Sequence, residues 1–226
     1  MPKKWIPLES NPEVLNEFVT ALGIDVSRYS FSDVFGLDEE MLGMVPTPVL
    51  AVLMCFPYKD AAPAGTSSSG TDTGLFYMKQ TIGNACGTIA MMHGIGNNLN
   101  ALSPGPGSFL RQFFDATAGL SPEAVGKYLE EPPGGAPDIE ASHQAAAATG
   151  SSAAPSVDDD VALHYVAFVH KNGHLFELDG MQAGPVDHGS SSAETLLADT
   201  AKVVQKFVER TDNINFNLLA LTATAY

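Results

Sequence analysis

The chain has 226 residues, of which 45% are hydrophobic and 16% charged, a globular balance rather than that of a disordered segment. Acidic residues outnumber basic ones 26 to 11, for a net charge of −15. That balance argues against nucleic acid or an anionic membrane as partner and suits a basic protein partner. No run approaches the ~18 apolar residues of a membrane span, "MPKKWIPLES" lacks the apolar region of a secretory signal, and two cysteines are too few for a disulfide framework. A cytoplasmic location, also extending to the nucleus, is the expectation.

The apolar stripe Val14, Leu15, Phe18, Val19 and Leu22 predicts a helix over 11–23, capped by Asn11, with Pro12 in its first turn and Gly23 at its end. "FSDVF" (31–35) reads as a short strand and "DEEMLGMV" (38–45) as a short helix stopped by Pro46. "PVLAVLMCF" (48–56) is apolar on both alternating faces, which predicts a central strand covered on both sides with Cys55 in the core. Residues 60–74 form a flexible loop by composition. A helix is expected from Asn84 to Asn98, and two more over 107–119 and 121–131, the second opened by Ser121 and Pro122.

From 132 to 160 Pro, Gly, Ala and Ser dominate, so most of this segment reads as mobile around a brief helix near 139–148. Residues 161–180 read as two strands about Asn172-Gly173, a strong hairpin signal. A long helix over 191–210 places Ser191 and Glu194 in capping-box spacing, and 214–226 supplies a last apolar strand. The chain shows no internal repeat. The expected fold class is α+β, with a mostly antiparallel central sheet flanked by helices.

The chemistry concentrates in "QTIGNACGTIA" (80–90). With Asn84 as cap, Cys86 falls in the first turn of a helix, where unpaired N–H groups and the helix dipole favour thiolate. The small neighbours Gly83, Ala85 and Gly87 would let a substrate backbone approach. Position alone does not separate a nucleophile from a structural thiol. The hairpin adds an independent argument. With Asn172-Gly173 as a two-residue turn, opposing residues sum to 345, so Val166 faces Asp179 and His164 faces Met181. His164 and Asp179 are then diagonal neighbours on one face. A carboxylate beside an imidazole fixes its tautomer and stabilises its cation, as in a nucleophile–base–orienter triad. Gln80, six positions before Cys86, could join the Cys86 backbone N–H as an oxyanion donor.

The remaining histidines are weaker candidates: His170 and His174 flank the turn, His93 lies on a helix, His143 in the mobile segment and His188 in "PVDHG". No Cys or His pairs have structural zinc spacing, so neither a metal nor a cofactor is expected.

The motifs that hold these residues resemble the ubiquitin carboxyl-terminal hydrolases, in particular the small single-domain members of the L-three type. The resemblance spans nearly the whole chain: "WIPLESNPEVLNEF", "MVPTPVLAVLMCFP", "FYMKQTIGNACGTIA", "LHYVAFVHKNGHLFELDG", "PVDHG", "SAETLLADTAKVVQKFVER" and "FNLLALTA". It implies one papain-like catalytic domain over 1–226, with a knotted backbone, that cleaves small adducts or short peptides from the C-terminal glycine of ubiquitin or a close ubiquitin-like modifier. By motif it implies Cys86 as nucleophile, His164 as general base then acid, Asp179 as orienter and Gln80 as oxyanion donor. It further implies Glu9 and Asp33 as contacts for ubiquitin's basic tail, and a crossover loop at roughly Ala146 to Asp160 that admits only small leaving groups; a monomer is the default expectation, with the oligomeric state open. Met181 departs from the basic residue common in relatives. Two other classes stay open on the residues alone: a silent ubiquitin-binding module and a general papain-like peptidase.

Overall fold

The computed structural model describes residues 3–57, 66–67, 74–151 and 162–224. Its elements in chain order are α1 (Pro12–Leu22), β1 (Tyr29–Asp33), α2 (Glu39–Leu42), β2 (Val49–Pro57), β3 (Thr66–Ser67), α3 (Cys86–Gly96), α4 (Leu99–Leu102), α5 (Phe109–Thr117), α6 (Pro122–Glu130), α7 (Glu140–Ala147), β4 (Leu163–Lys171), β5 (His174–Leu178), β6 (Val186–Ser190), α8 (Leu196–Thr211) and β7 (Asn217–Ala223). One antiparallel sheet joins the strands in the order β1-β7-β2-β4-β5-β6-β3.

The two-faced apolarity of β2 organises this sheet. Ala51, Leu53 and Cys55 point into a core shared with Leu15, Phe18, Met91 and Phe113, from α1, α3 and α5. Val52, Met54 and Phe56 point the other way, into a second core with Leu196 and Val204 of α8. A strand flanked by β4 and β7 and covered on both faces has no solvated side, so every position is apolar. Helix α3 is buried around its whole circumference for a related reason: Gly87 through Ile95 are all withdrawn from water, wedged between the sheet and the outer helices.

Local chemistry set most boundaries as expected. The Asn11 side chain accepts the Glu13 N–H at 2.9 Å, and Gly23 ends α1 at φ 110°; Ser121 caps α6. Three expectations need correction. β1 lies two residues earlier than "FSDVF", because its register runs from Tyr29 opposite Ala223 to Asp33 opposite Leu219 and leaves Phe35 exposed. Helix α8 begins after Thr195, not at a Ser191–Glu194 box: Ser192 and Thr195 exchange backbone and side-chain bonds there, while the Ser191 hydroxyl goes to Asp199 at 2.9 Å.

The third concerns the surroundings of the brief helix expected near 139–148, which forms as α7 but sits against the core rather than in a loose segment. α7 packs on α1 and buries His143 completely. Its ring stands between the Thr88 hydroxyl (2.8 Å) and the Ile6 carbonyl (2.7 Å), with Trp5 against its face. The low-propensity strands β6 and β3 were not read from the sequence; both form at the far edge, and Thr66–Ser67 falls inside the loop expected at 60–74. The expected crossover loop begins in α7 and continues to Ser151; residues 152–160 of it lie outside the described residues.

Leu53 is 1% exposed and faces the core that carries α3. Leu53→Ala should therefore cost about 2–5 kcal/mol in a urea titration, with an unchanged m-value.

Candidate active site

Helix α3 presents Cys86 as its first residue. The cap is Ala85, not Asn84: Asn84 sits at φ 61°, in the left-handed region that Asn tolerates, and no side chain caps the helix. The chain is pinned just upstream, where the Trp5 N–H donates to the Gly83 carbonyl and the Gly83 N–H to that of Lys3, both at 2.9 Å. The first helical bond is Ile89 N–H to the Ala85 carbonyl at 2.9 Å. The amides of Cys86, Gly87 and Thr88 therefore precede the ladder, and their positive ends gather at the thiol.

The small neighbours serve internal packing here. Gly83 sits in the bridge to Lys4, Ala85 is fully buried, and a Cβ on Gly87 would stand 3.4 Å from both Leu8 and Tyr165. Both cysteines are free. Cys86 is half-buried, whereas Cys55 is buried on β2, and that burial pushes its thiol up to about 12.

His164 lies near the start of β4, 2% exposed. Its Nε2 meets Asp179 Oδ1 at 2.8 Å, and the ring also interacts with the Cys86 thiol. Burial alone would lower the imidazole's pKa and is the largest single influence. The bonds to Asp179 and Cys86, together with the charges of those groups, outweigh it and raise the ring to about 9. Asp179 is likewise opposed by burial, yet its carboxyl is held below the usual value by His164, by the Met181 N–H at 2.9 Å and by the Gln182 side chain.

The hairpin register is the expected one from Lys171 opposite His174 to Ala167 opposite Leu178. Pairing stops there. Asp179 therefore reaches His164 from a turn just past β5, not from the extended ladder that would set His164 against Met181.

Gln80 lies in the irregular stretch before α3. One N–H of its amide goes to the Ile82 carbonyl at 3.1 Å, and its Oε1 is buried without a partner. Glu9 sits ahead of α1, where it accepts from the Ser151 hydroxyl at 2.9 Å and from Asn11 at 3.3 Å. Asp33 closes β1, half-buried, opposite Leu219. The structure thus gathers Cys86, His164 and Asp179 at one point and leaves the two acids on the N-terminal segment and the β1 edge.

The chain matches the family model described as "Ubiquitin carboxyl-terminal hydrolase, family 1" over residues 5–209. It belongs to that family. A ubiquitin carboxyl-terminal hydrolase of Aplysia californica is 44% identical, over 94% of this chain and 98% of its own. Human ubiquitin carboxyl-terminal hydrolase isozyme L1 is 40% identical, over 97% and 98%. Among solved structures, the Trichinella spiralis UCH37 catalytic domain bound to ubiquitin vinyl methyl ester superposes with a TM-score of 0.76 at 22% identity, covering 98% of this chain and 96% of that one. The fold is thus the α+β, papain-like one of this family, and the protein is a cysteine-type thiol hydrolase.

The other histidines lie in contacts away from this site, His170 accepting the Gly173 N–H at 3.2 Å. His188 pairs with Glu177 at 2.8 Å and His174 with Asp187 at 2.9 Å, both on the β5–β6 edge, and His93 is buried under Tyr77. Among the described residues no group of three or more His, Cys, Asp or Glu side chains is placed to hold a metal ion. Met181 contributes its backbone N–H to Asp179 and leaves its side chain half exposed. Tyr77 and Lys79 contact the Asp179 turn but escaped the sequence reading, since about a hundred positions separate them from it and no spacing rule links the two.

Because His164 titrates higher when folded than the ordinary 6.5, its proton stabilises the native state fully below 6.5, and that contribution is lost as pH rises through about 9. Urea titrations from pH 6 to 9.5 should show wild type losing more stability across this window than His164→Gln.

Proposed function

We propose that this hydrolase cleaves the bond after the C-terminal glycine of ubiquitin, or of a close ubiquitin-like modifier, and releases small adducts or short peptides. The observation that carries the reading is the His164 ring, held between the Asp179 carboxylate and the Cys86 thiol. Relatives at 40–44% identity that bear the ubiquitin carboxyl-terminal hydrolase name supply the substrate class.

In this mechanism the Cys86 thiol gives its proton to His164, and the thiolate attacks the glycine carbonyl. The resulting oxyanion is received by the Cys86 backbone N–H and by the amide N–H of Gln80 not bonded to Ile82. His164 then passes its proton to the leaving amine, and a thioester to Cys86 remains. Water attacks that thioester with His164 as base, and the thiol is restored as the carboxylate leaves. Asp179 keeps Nε2 protonated and the ring aimed at sulfur throughout. Glu9 and Asp33 would meet the basic residues of the modifier's tail, which the net charge of −15 also attracts.

Hydrolysis of a C-terminal fluorogenic amide of ubiquitin tests this. Cys86→Ala should lower turnover by at least about 10⁴-fold while ubiquitin binding persists. Binding without turnover in wild type would leave a binding module, and comparable cleavage of unrelated peptides a general peptidase. Glu9→Ala and Asp33→Ala should each raise KM by roughly three- to tenfold with kcat nearly unchanged, an effect that shrinks as salt is added.

A further inference from the structure

Residues 77–80 run, without helix or strand, alongside the turn that presents Asp179. That turn is closed by the Gln182 N–H on the Asp179 carbonyl at 3.0 Å. Three donors from the 77–80 stretch grip it from outside. The Tyr77 hydroxyl lies 2.7 Å from the Asp179 carbonyl and 2.8 Å from that of Gln182. The Lys79 ammonium also bonds the Gln182 carbonyl, and the Gln80 N–H donates to the Gly180 carbonyl at 3.0 Å. Three of these four residues therefore address three carbonyls of a four-residue turn.

The fit is close as well as bonded. A Cβ on Gly180 would fall 2.7 Å from Ile89 Cγ2 and 3.0 Å from the Gln80 nitrogen, so this turn lies flat against both Gln80 and the nucleophile helix. The Tyr77 ring is itself fixed: it stacks on His93 of α3 with centroids 5.1 Å apart and planes 10° apart. His93 Nε2 also accepts the Met78 N–H at 3.1 Å. Tyr77 thus leans on the helix that carries Cys86 while it holds the turn that carries Asp179.

We propose that Tyr77 is a positioning residue: its hydroxyl sets the Asp179 turn at the height where the carboxylate meets His164, and the 77–80 stretch locks oxyanion donor and acid into one rigid unit. This rests on the triad reading above. Burial, foremost, raises the phenol's pKa, with the charges of Asp179 and Glu123 acting in the same direction, so the hydroxyl keeps its proton and remains a donor wherever the enzyme works. Loss of that bond lets the turn relax, and a small displacement of a catalytic group is enough to slow chemistry sharply.

The competing explanation is that the bond only stabilises the fold. Tyr29 gives the control, because its hydroxyl donates to the Ala101 carbonyl at 2.7 Å on a distant part of the molecule. Wild type, Tyr77→Phe and Tyr29→Phe are compared by melting temperature, by hydrolysis of the ubiquitin amide, and by the rate of iodoacetamide alkylation of Cys86 at neutral pH. Tyr77→Phe should lose about ten- to a hundredfold in kcat with KM within roughly twofold, and alkylation should slow in parallel as the thiolate–imidazolium pair weakens. Tyr29→Phe should keep both rates. A Tyr77→Phe enzyme with kcat and alkylation within about twofold of wild type overturns the proposal. If wild type fails to turn over ubiquitin amide, the substrate reading falls, and the alkylation rates still decide the role of Tyr77. Should Tyr77→Phe not fold, Lys79→Met removes the neighbouring donor to the same turn and carries the same expectation.

Discussion

A buried imidazole resists charge, and this protein contains the comparison that shows what overcomes it. His93, His143 and His164 are all withdrawn from water. Burial pushes His93 and His143 down to about 4, against partial support from backbone hydrogen bonds and nearby carboxylates. Burial is also the foremost influence on His164, yet that ring rises to about 9. The difference is a carboxylate in direct contact at 2.8 Å, with a thiol on the other side. Asp179 and Cys86 together offset the burial that would keep this ring neutral, so the geometry of those two contacts governs the site.

The rest of the fold serves to hold three distant segments to that geometry. β2 is covered on both faces, which ties the sheet to α3 on one side and α8 on the other. β4 pairs along β2 and carries His164 at its open end, opposite Phe56, whose ring meets the imidazole edge-on at 5.8 Å. α3 is buried around its whole circumference, so its first residue cannot drift relative to the sheet. Only the Asp179 turn lies outside regular structure, and it is secured by local bonds to its own amides and to residues 77–80. Cys55 illustrates the converse: a thiol on the same sheet, without a helix start or an imidazole, is an inert core group.

Much of this was legible in the chain because local chemistry decides it. The Asn172-Gly173 turn sets the hairpin register that the structure keeps from Lys171–His174 to Ala167–Leu178, and the turn beyond β5 carries Asp179 the rest of the way to His164. Asn11, Ser121 and Gly23 marked helix ends that the structure keeps. The failures share a cause, which is that long-range contacts outweighed local signals. Asn84 resembles a cap, yet the anchoring of Gly83 by Lys3 and Trp5 turns it into a left-handed link and passes the cap to Ala85. The composition of 132–151 reads as loose, but one buried histidine bridging Thr88 and Ile6 fastens its helix to the core. β6, with Asp, His and Gly in a five-residue strand, forms through edge pairing that no propensity foretells. The contacts of Tyr77 belong to the same class.

The account is tested most directly by following the titration of His164 by NMR, using side-chain imidazole resonances, in wild type and in Asp179→Asn. The asparagine keeps the shape of the turn but removes the charge that offsets burial. The ring should titrate near 9 in wild type and well below that in the variant, where only the Cys86 thiol still opposes burial. A His164 that titrates alike in both proteins would mean that the carboxylate does not sustain the cation, and the central claim would be wrong.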